Sequence, residues 1–239
     1  MSKINLLCLP FSGGSKYSFS GLFNSASGVY SPVVLELPGR GKRTQESLLY
    51  NIDQAEIDLF QQAQPYLDKP YAVYGHSLGG LLAFRLIKHI QQGGLKKPLH
   101  LFATGASAPS VPFKKSYHLL GKQQFIDKIK SLKGMPEEIM ENEEIMNYFE
   151  PIIRADFTLL ETYNYEPSPP FDIPVTVIFG DREDMQIEEV EPWKNETTGD
   201  IDIRQMPGGH FFIYNHAIKI QKIIEDKIAA ARPMLAAGS

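Results

Sequence analysis

The chain has 239 residues, of which about 43% are apolar, enough to bury the core of one sizeable α/β domain. Its 24 basic and 28 acidic residues give a formal net charge of -4 and are spread evenly, which excludes the basic stripe typical of a nucleic-acid-binding protein. Cys8 is the only cysteine, so an internal disulfide and a metal site built from several thiolates are both excluded.

The first apolar run, Ile4–Leu9, predicts a β-strand with Cys8 as a small buried hydrophobe inside it. The run is too short for the core of a signal peptide, lacks a cleavage site and leads directly into a glycine turn. No segment is long enough to span a bilayer. We therefore expect a soluble, cytoplasmic protein that binds neither membrane nor nucleic acid, and a monomer is the simplest expectation.

Five more apolar runs follow, and most are continuous rather than alternating, as expected for parallel strands covered on both faces. The six predicted strands are Ile4–Leu9, Pro32–Leu37, Tyr71–Tyr74, Leu99–Thr104, Val175–Phe179 and Ile201–Met206. Helical spacing separates most of them, and a final helix over about residues 214–230 is predicted to end at Pro233, before a frayed tail at 233–239. The pattern predicts a single α/β domain over residues 1–239, with a mostly parallel central sheet and helices on both faces.

One segment breaks the alternation of strands and helices. Between Ala106 and Pro174 there is no convincing strand, but there are two or three helical patterns. A helical insertion of this size between two strands of a parallel sheet is typical of a lid, which we predict over about residues 107–172. The alternative is that these helices complete the core.

The stretch Gly75-His76-Ser77-Leu78-Gly79-Gly80 directly follows the third predicted strand. Glycines two before and two after Ser77 remove side chains that would collide in a sharp strand-to-helix turn. Such a turn exposes the serine hydroxyl above the sheet, beside the positive end of a helix. The spacing therefore predicts a nucleophile elbow with Ser77 at its tip.

A serine hydroxyl is a poor nucleophile until a base takes its proton, so Ser77 requires a histidine. His210 follows Pro207-Gly208-Gly209 directly after the last predicted strand, which places it at the strand's carboxyl end, where the elbow also points. We predict His210 as the base. The side chain of His76 must point away from the serine hydroxyl. The remaining histidines are predicted to be structural or solvated: His89, His100, His118 and His216.

The imidazole needs an acid that fixes its tautomer. In the chain order serine, acid, histidine, this acid follows the strand Val175–Phe179, where three candidates stand close together. Asp184 precedes a returning apolar segment and is the favoured candidate. Asp181 and Glu183 are the alternatives, and the two carboxylates not used are expected to be solvated.

The oxyanion of a tetrahedral intermediate needs two preorganised N–H donors. We predict the backbone amides of Leu78, at the start of the helix, and of Phe11, in the loop after the first strand. The glycine pair Gly13-Gly14 lacks the following Gly-Lys-Ser/Thr of a phosphate-binding loop. The sequence therefore predicts no bound cofactor and no metal.

Together these residues resemble the type II thioesterases that accompany nonribosomal peptide and polyketide synthases, within the α/β-hydrolase superfamily. The resemblance covers nearly the whole chain and depends on five motifs in a fixed order. They are Leu9-Pro10-Phe11-Ser12-Gly13-Gly14, Glu36-Leu37-Pro38-Gly39-Arg40-Gly41-Lys42-Arg43, Gly75-His76-Ser77-Leu78-Gly79-Gly80, Arg154-Ala155-Asp156 and Gly208-Gly209-His210-Phe211-Phe212.

The resemblance implies an α/β-hydrolase fold and a serine thioesterase that removes aberrant or stalled acyl groups from a carrier protein. The partner would be an acyl or peptidyl carrier protein, which itself carries the phosphopantetheine. In relatives the acid usually stands three places after the glycine, where this chain has Glu183, and a one-residue shift would bring Asp184 into register. Met135, Met146 and Phe149 are predicted to line an acyl channel or, alternatively, to pack the lid against the core.

The same residues are compatible with three other functions. A medium-chain acyl-carrier-protein hydrolase of fatty-acid synthesis would share every motif, whereas a carboxylesterase would share only the triad. A carrier-binding module with an inactive site is the non-enzymatic alternative, which the presence of Ser77, His210 and nearby acids disfavours.

Overall fold

In the computed structural model, which describes residues 3–23, 27–132 and 141–236, six strands form one sheet. The strands are β1 (Ile4–Leu9), β2 (Tyr30–Val34), β3 (Tyr71–His76), β4 (Leu101–Thr104), β5 (Val175–Gly180) and β6 (Ile201–Met206). Their order across the sheet is β2-β1-β3-β4-β5-β6, and each neighbouring pair is parallel. All carboxyl ends therefore meet at one edge, where loops from different parts of the chain come together.

Alternate residues of the strands enter two separate cores, because successive side chains of a strand point to opposite faces. Leu7 and Leu9 of β1 lie in the core under the helices after β2 and β3. Leu6 and Cys8 lie in the core on the other face, under the C-terminal helix. Helices therefore cover both faces of the sheet, as the continuous apolar runs predict.

Seven α-helices are described, five of them between strands and two after the last strand. The helices are α1 (Ile52–Ala63), α2 (Leu78–Gln92), α3 (Lys122–Ser131), α4 (Glu143–Glu161), α5 (Ile187–Val190), α6 (Phe212–Asn215) and α7 (Ala217–Ala236). Asn51 caps α1 by accepting the amides of Asp53 and Gln54 at 2.9 and 3.1 Å, as an asparagine at this position favours.

The segment predicted as a lid contains α3 and α4, between β4 and β5. These helices build a small apolar cluster of their own, in which Phe125 and Met146 are buried. The described part of residues 107–172 adds no strand to the sheet. That these helices move as a lid is still a prediction.

Several predicted boundaries differ from the structure. By one or two residues, β2 begins at Tyr30 rather than Pro32, β3 ends at His76 rather than Tyr74, β4 begins at Leu101 rather than Leu99, and β5 ends at Gly180 rather than Phe179. Two differences are larger. Strand β2 ends at Val34 rather than Leu37, because the chain leaves the sheet while its apolar side chains stay buried. The last helix runs past Pro233 to Ala236, and the alanine-rich sequence around this position favours helix strongly enough to continue for one more turn. The predicted frayed tail is thus helical over 233–236, and residues 237–239 lie outside the described residues. None of the described helices is both long and apolar enough to cross a membrane.

Candidate active site

Ser77 occupies a strained turn between β3 and α2. Its φ of 57° and ψ of -122° make it the one residue other than glycine with a positive φ in the described part of the chain. A conformation of this kind costs about 1–3 kcal/mol. The Ser77 amide donates to the Thr104 carbonyl at 2.8 Å and its carbonyl accepts from Gly80 at 2.8 Å, which fixes the turn from both sides.

The two flanking glycines are required by backbone contacts. A Cβ atom at Gly75 would lie 2.1 Å from the Gly79 oxygen, and one at Gly79 would lie 2.0 Å from the Leu9 oxygen. Neither contact can be relieved by a side-chain rotation, since both partners are main-chain atoms. The predicted elbow at Ser77 is therefore present, and its second glycine brings the start of α2 against the loop after β1.

His210 and Glu183 meet across the ends of β5 and β6. His210 Nδ1 lies 2.6 Å from Glu183 Oε2, and the other oxygen of Glu183 accepts the Gly180 amide at 2.7 Å. The Glu183 side chain is only 3% exposed, compared with 34% for His210. A buried carboxylate on Nδ1 favours the tautomer in which that nitrogen is protonated, and this leaves Nε2 free to accept a proton.

The prediction that Asp184 pairs with this histidine is wrong. The Asp184 side chain is 88% exposed, and its closest ion-pair partner is Lys115, at 3.9 Å. The reason lies in the turn after β5: the Glu183 carboxylate folds back onto the Gly180 amide, and the next side chain faces solvent. Asp181, the third candidate, accepts the Gly208 amide at 2.8 Å and so supports the loop that precedes His210.

The imidazole of His210 stands beside the elbow. Its ring centroid lies 5.0 Å from that of His76, the residue before Ser77. A Cβ at Gly105, after β4, would lie 2.7 Å from His76 Cε1 and 3.3 Å from His210 Cε1. No hydrogen bond joins Ser77 and His210 among the described residues, and such contacts commonly tighten only when substrate binds.

His76 lies entirely inside the protein. Its Nδ1 is 2.9 Å from Thr104 Oγ1, while its Nε2 has no hydrogen-bond partner among the described residues. Burial, together with the neighbouring His210, lowers the pKa of His76 well below its usual range. The imidazole of His76 is therefore expected to be uncharged and to pack beside His210. Its burial is consistent with the expectation that it does not face the serine hydroxyl.

Each of the other four histidines has a polar partner away from Ser77. His89 and His118 pair with Glu56 and Glu161, His100 with Thr176, and His216 with the Pro207 carbonyl. These contacts support the prediction that the four are structural or solvated.

The two predicted oxyanion donors come from elements that touch. Leu78 begins α2, where the first amides have no partner within the helix. Phe11 follows the Leu9–Pro10 segment, which Gly79 allows to approach α2. Among the described residues, neither amide donates to a protein acceptor. The Phe11 ring packs edge-on against His76 and Phe211, with centroids 5.7 and 4.9 Å away. Their role as oxyanion donors is still a prediction.

A buried ion pair connects the predicted lid to this loop. Arg40 donates through Nη1 and Nη2 to the two oxygens of Asp156 on α4, at 2.5 and 2.8 Å. The Gly13 amide donates to the same carboxylate at 2.6 Å. Both side chains are nearly inaccessible, 5% for Arg40 and 1% for Asp156. Both residues belong to the motifs named above, but nothing in the sequence predicts their contact, since 116 positions separate them.

Two of the three residues predicted to line an acyl channel are described, and both belong to or pack against an apolar cluster. Met146 is 2% exposed and belongs to the apolar cluster of the predicted lid helices, and Phe149 packs against that cluster. The burial of Met146 within the cluster favours its packing role. Met135 lies outside the described residues. No cluster of three or more metal-binding side chains occurs in the described ranges.

Comparison with known proteins gives one consistent family. The model of the thioesterase domain family matches residues 4–228. The gramicidin S biosynthesis protein GrsT of Aneurinibacillus migulanus is 36% identical over 219 residues, which span 89% of this chain and 84% of GrsT. The human medium-chain S-acyl fatty acid synthase thioesterase is 31% identical over 232 residues, 93% of this chain and 85% of that protein.

Solved structures show the same relationship. ClbQ from the colibactin NRPS/PKS pathway superposes with a TM-score of 0.89 at 32% identity, covering 98% of this chain and 100% of ClbQ. RedJ, a thioesterase of the prodiginine pathway in Streptomyces coelicolor, gives a TM-score of 0.88 at 28% identity, covering 94% and 90%. These similarities confirm the predicted α/β-hydrolase fold over nearly the full length of the chain.

Proposed function

The chain belongs to the thioesterase domain family, and we propose that it hydrolyses aberrant or stalled acyl groups from the phosphopantetheine arm of carrier proteins in nonribosomal peptide or polyketide synthesis. One observation carries the catalytic part of this proposal. The strained Ser77 and the Glu183–His210 pair lie at the same edge of one parallel sheet. The similarity to GrsT, ClbQ and RedJ supports the choice of substrate.

In the first half of the reaction, His210 Nε2 takes the proton of Ser77 and Oγ attacks the thioester carbonyl carbon. The carbonyl π electrons move onto oxygen, and the amides of Phe11 and Leu78 stabilise this oxyanion. When the carbonyl re-forms, the carbon–sulfur bond breaks and the pantetheine sulfur leaves with the proton from His210. The products are an acyl ester on Ser77 and a free thiol on the carrier.

In the second half, His210 takes a proton from water, whose oxygen attacks the acyl ester. The ester carbon–oxygen bond breaks, and the proton returns to Ser77 as the free acid leaves. Glu183 stabilises the imidazolium formed in both halves and keeps it in one orientation, without itself taking up the proton.

A thioester suits this site chemically. An alkyl thiol has a pKa of about 8.5, so a thiolate leaves readily and needs little protonation by the enzyme. An amine leaving group would demand much stronger acid assistance from His210.

The similarity to the human medium-chain fatty acid synthase thioesterase keeps a second candidate function, hydrolysis of medium-chain acyl groups from the carrier of fatty-acid synthesis. Both functions use the same catalytic groups, so acyl-chain preference separates them. Preference for short or aberrant acyl groups supports editing, and a sharp optimum at medium chain length supports the alternative.

The experiment is mass spectrometry of an acylated carrier domain mixed with the protein, beside an acyl-CoA and a simple ester of the same acyl group. We expect rapid loss of the acyl group from the carrier and none with Ser77→Ala. A preference for the simple ester over the acylated carrier would contradict the proposed substrate. Hydrolysis that survives Ser77→Ala would contradict the role of Ser77.

A further inference from the structure

A cluster of lysines lies where the chain leaves β4 and enters the lid. Residues 114–132 contain five lysines and a single acidic residue, in a chain whose formal net charge is -4. We call these five residues the lid-edge lysines: Lys114, Lys115, Lys122, Lys128 and Lys130. The first three are exposed and the other two are half-buried. The charge of this segment is therefore opposite in sign to that of the whole chain.

The lid-edge lysines begin at the rim of the candidate active site. The connection from β4 starts at Gly105, which lies against the His210 ring. Ten residues later, Lys115 Nζ lies 3.9 Å from Asp184, the neighbour of Glu183. One end of the lysine-rich segment thus borders the loop that carries the proposed catalytic acid.

The backbone that presents these lysines is held against helix α4. The buried Glu161 carboxylate accepts the amides of Tyr117 and His118, each at 2.9 Å. Arg154 donates to the carbonyls of His118 and Leu120 at 2.6 and 2.7 Å. These four hydrogen bonds hold the backbone between Lys115 and Lys122 in one conformation against α4.

Within the described ranges, few protein carboxylates lie close to these lysines. Among the described residues, Asp184 is the one carboxylate within ion-pair distance of a lid-edge lysine. Asp127, the acidic residue of the segment, accepts a hydrogen bond from Gln123. Lys128 Nζ lies 4.8 Å from the centre of the Tyr117 ring. Beside these charges, the apolar side chain of Leu119 is 74% exposed.

We propose that the lid-edge lysines dock the carrier protein that delivers the acyl group, an inference that rests on the proposed function. The phosphopantetheine arm is joined to its carrier through a phosphodiester, which is anionic at neutral pH. For the thioester to reach Ser77, the carrier must lie against the rim of the site. The lysines then face the anionic phosphate, and the exposed Leu119 supplies an apolar contact. Complementary charges of this kind chiefly accelerate encounter and fix orientation.

The test compares Lys114→Glu/Lys115→Glu with the control Lys69→Glu/Lys96→Glu. The control makes the same change in charge at two exposed lysines that precede β3 and β4, at the opposite edge of the sheet. Each protein hydrolyses an acetyl group on a phosphopantetheinylated carrier domain and, separately, on free pantetheine. We expect kcat/KM for the carrier substrate to fall about tenfold or more in the first variant, with acetyl-pantetheine and the control unchanged. The dependence on salt should also weaken, because fewer charges attract the carrier.

The possible results separate this proposal from the proposed function. Unchanged hydrolysis of the carrier substrate by Lys114→Glu/Lys115→Glu would overturn the docking surface and leave the thioesterase function intact. An equal fall with both substrates would also overturn it, since the lysines would then act on the lid or the site itself. Wild-type protein that hydrolyses neither thioester would refute the proposed function and the docking surface with it.

Discussion

The Glu183 carboxylate binds His210 through one oxygen and the Gly180 amide through the other, at 2.6 and 2.7 Å. This arrangement connects the loops after β5 and β6 through a side chain that is almost inaccessible to solvent. Glu183 therefore holds His210 in a fixed orientation relative to the end of β5. The role of this carboxylate can be tested by substitution.

Replacing Glu183 by Gln should lower kcat for a small thioester by about two to four orders of magnitude, because the amide neither fixes the tautomer nor stabilises the imidazolium. Asp184→Asn, at the exposed neighbour, should change kcat less than about twofold. Steady-state hydrolysis of acetyl-pantetheine measures both. A larger loss in Asp184→Asn than in Glu183→Gln would show that the acid has been misassigned.

The Arg40–Asp156 pair should position the Phe11 loop, because Asp156 also holds the Gly13 amide. Removing one partner leaves a buried charge uncompensated, so Asp156→Leu or Arg40→Met alone should reduce stability by about 3–5 kcal/mol. Activity per folded molecule should fall in Asp156→Leu through kcat rather than KM, since the oxyanion loop loses its anchor. Chemical unfolding and steady-state kinetics on the same preparations provide the two measurements.

The double variant Arg40→Met/Asp156→Leu separates stability from positioning. Replacing a buried ion pair by apolar side chains of similar size is often neutral, so the double variant should be more stable than either single one. Its kcat should stay low, since Gly13 still lacks its acceptor. Recovery of full activity together with stability would mean that the pair serves folding alone.

Gly79→Ala should destabilise the protein by about 3 kcal/mol or more, because the added methyl group would lie 2.0 Å from the Leu9 oxygen. Gly28→Ala is the matched control: a Cβ there meets nothing within 4 Å. Thermal and urea unfolding of both variants checks the difference. A Gly79→Ala protein as stable as the control would contradict the close contact between the start of α2 and the end of β1.

His100 should make the protein sensitive to acid. Burial lowers the pKa of His100 to about 3, the nearby charge of Lys227 adds to this effect, and its Nε2 lies 2.8 Å from Thr176 Oγ1. In the unfolded chain this histidine has a pKa of about 6.5, so below that pH the unfolded state binds a proton that the folded state does not bind. Stability due to this group is thus complete above about pH 6.5 and is lost as the pH falls toward 3.

His100→Gln removes this proton uptake and keeps a side-chain amide near Thr176. Its free energy of unfolding should therefore fall less than that of the wild type between pH 6.5 and 4.5, by about 2 kcal/mol. Urea unfolding across this range measures the difference. Parallel pH profiles for the two proteins would show that His100 is not the group responsible.

The sequence predicts most of the fold because its signals are local. Strands β1 and β6 have the predicted bounds. The nearly continuous apolar run of β1 favours a strand buried on both faces, and the alternating sequence of β6 favours a half-buried strand at the edge of the sheet. Ser77 and His210 were predicted from glycine spacing and from the parallel direction of the strands, and the structure brings both to one edge. Their catalytic roles, like those of the Phe11 and Leu78 amides, are still proposals.

The sequence does not predict features that depend on which of two adjacent residues faces the site, or on contacts between distant parts of the chain. Asp184 and Glu183 are adjacent, and only the turn after Gly180 decides which side chain reaches His210. The resemblance supplies the signal that could have found Glu183, since the acid of relatives usually stands three places after the glycine. The Asp156 contacts with Gly13 and Arg40 have no sequence signal, because they join residues more than a hundred positions apart.

The most direct test of the proposed function is the intact mass of the protein within the first turnovers after mixing with an acylated carrier domain, followed by peptide mapping. The mechanism predicts that the acyl group passes from the carrier to the peptide containing Ser77 and is then released as the free acid, with neither step in Ser77→Ala. An acyl group found on another residue, or release from the carrier that persists in Ser77→Ala, would contradict it.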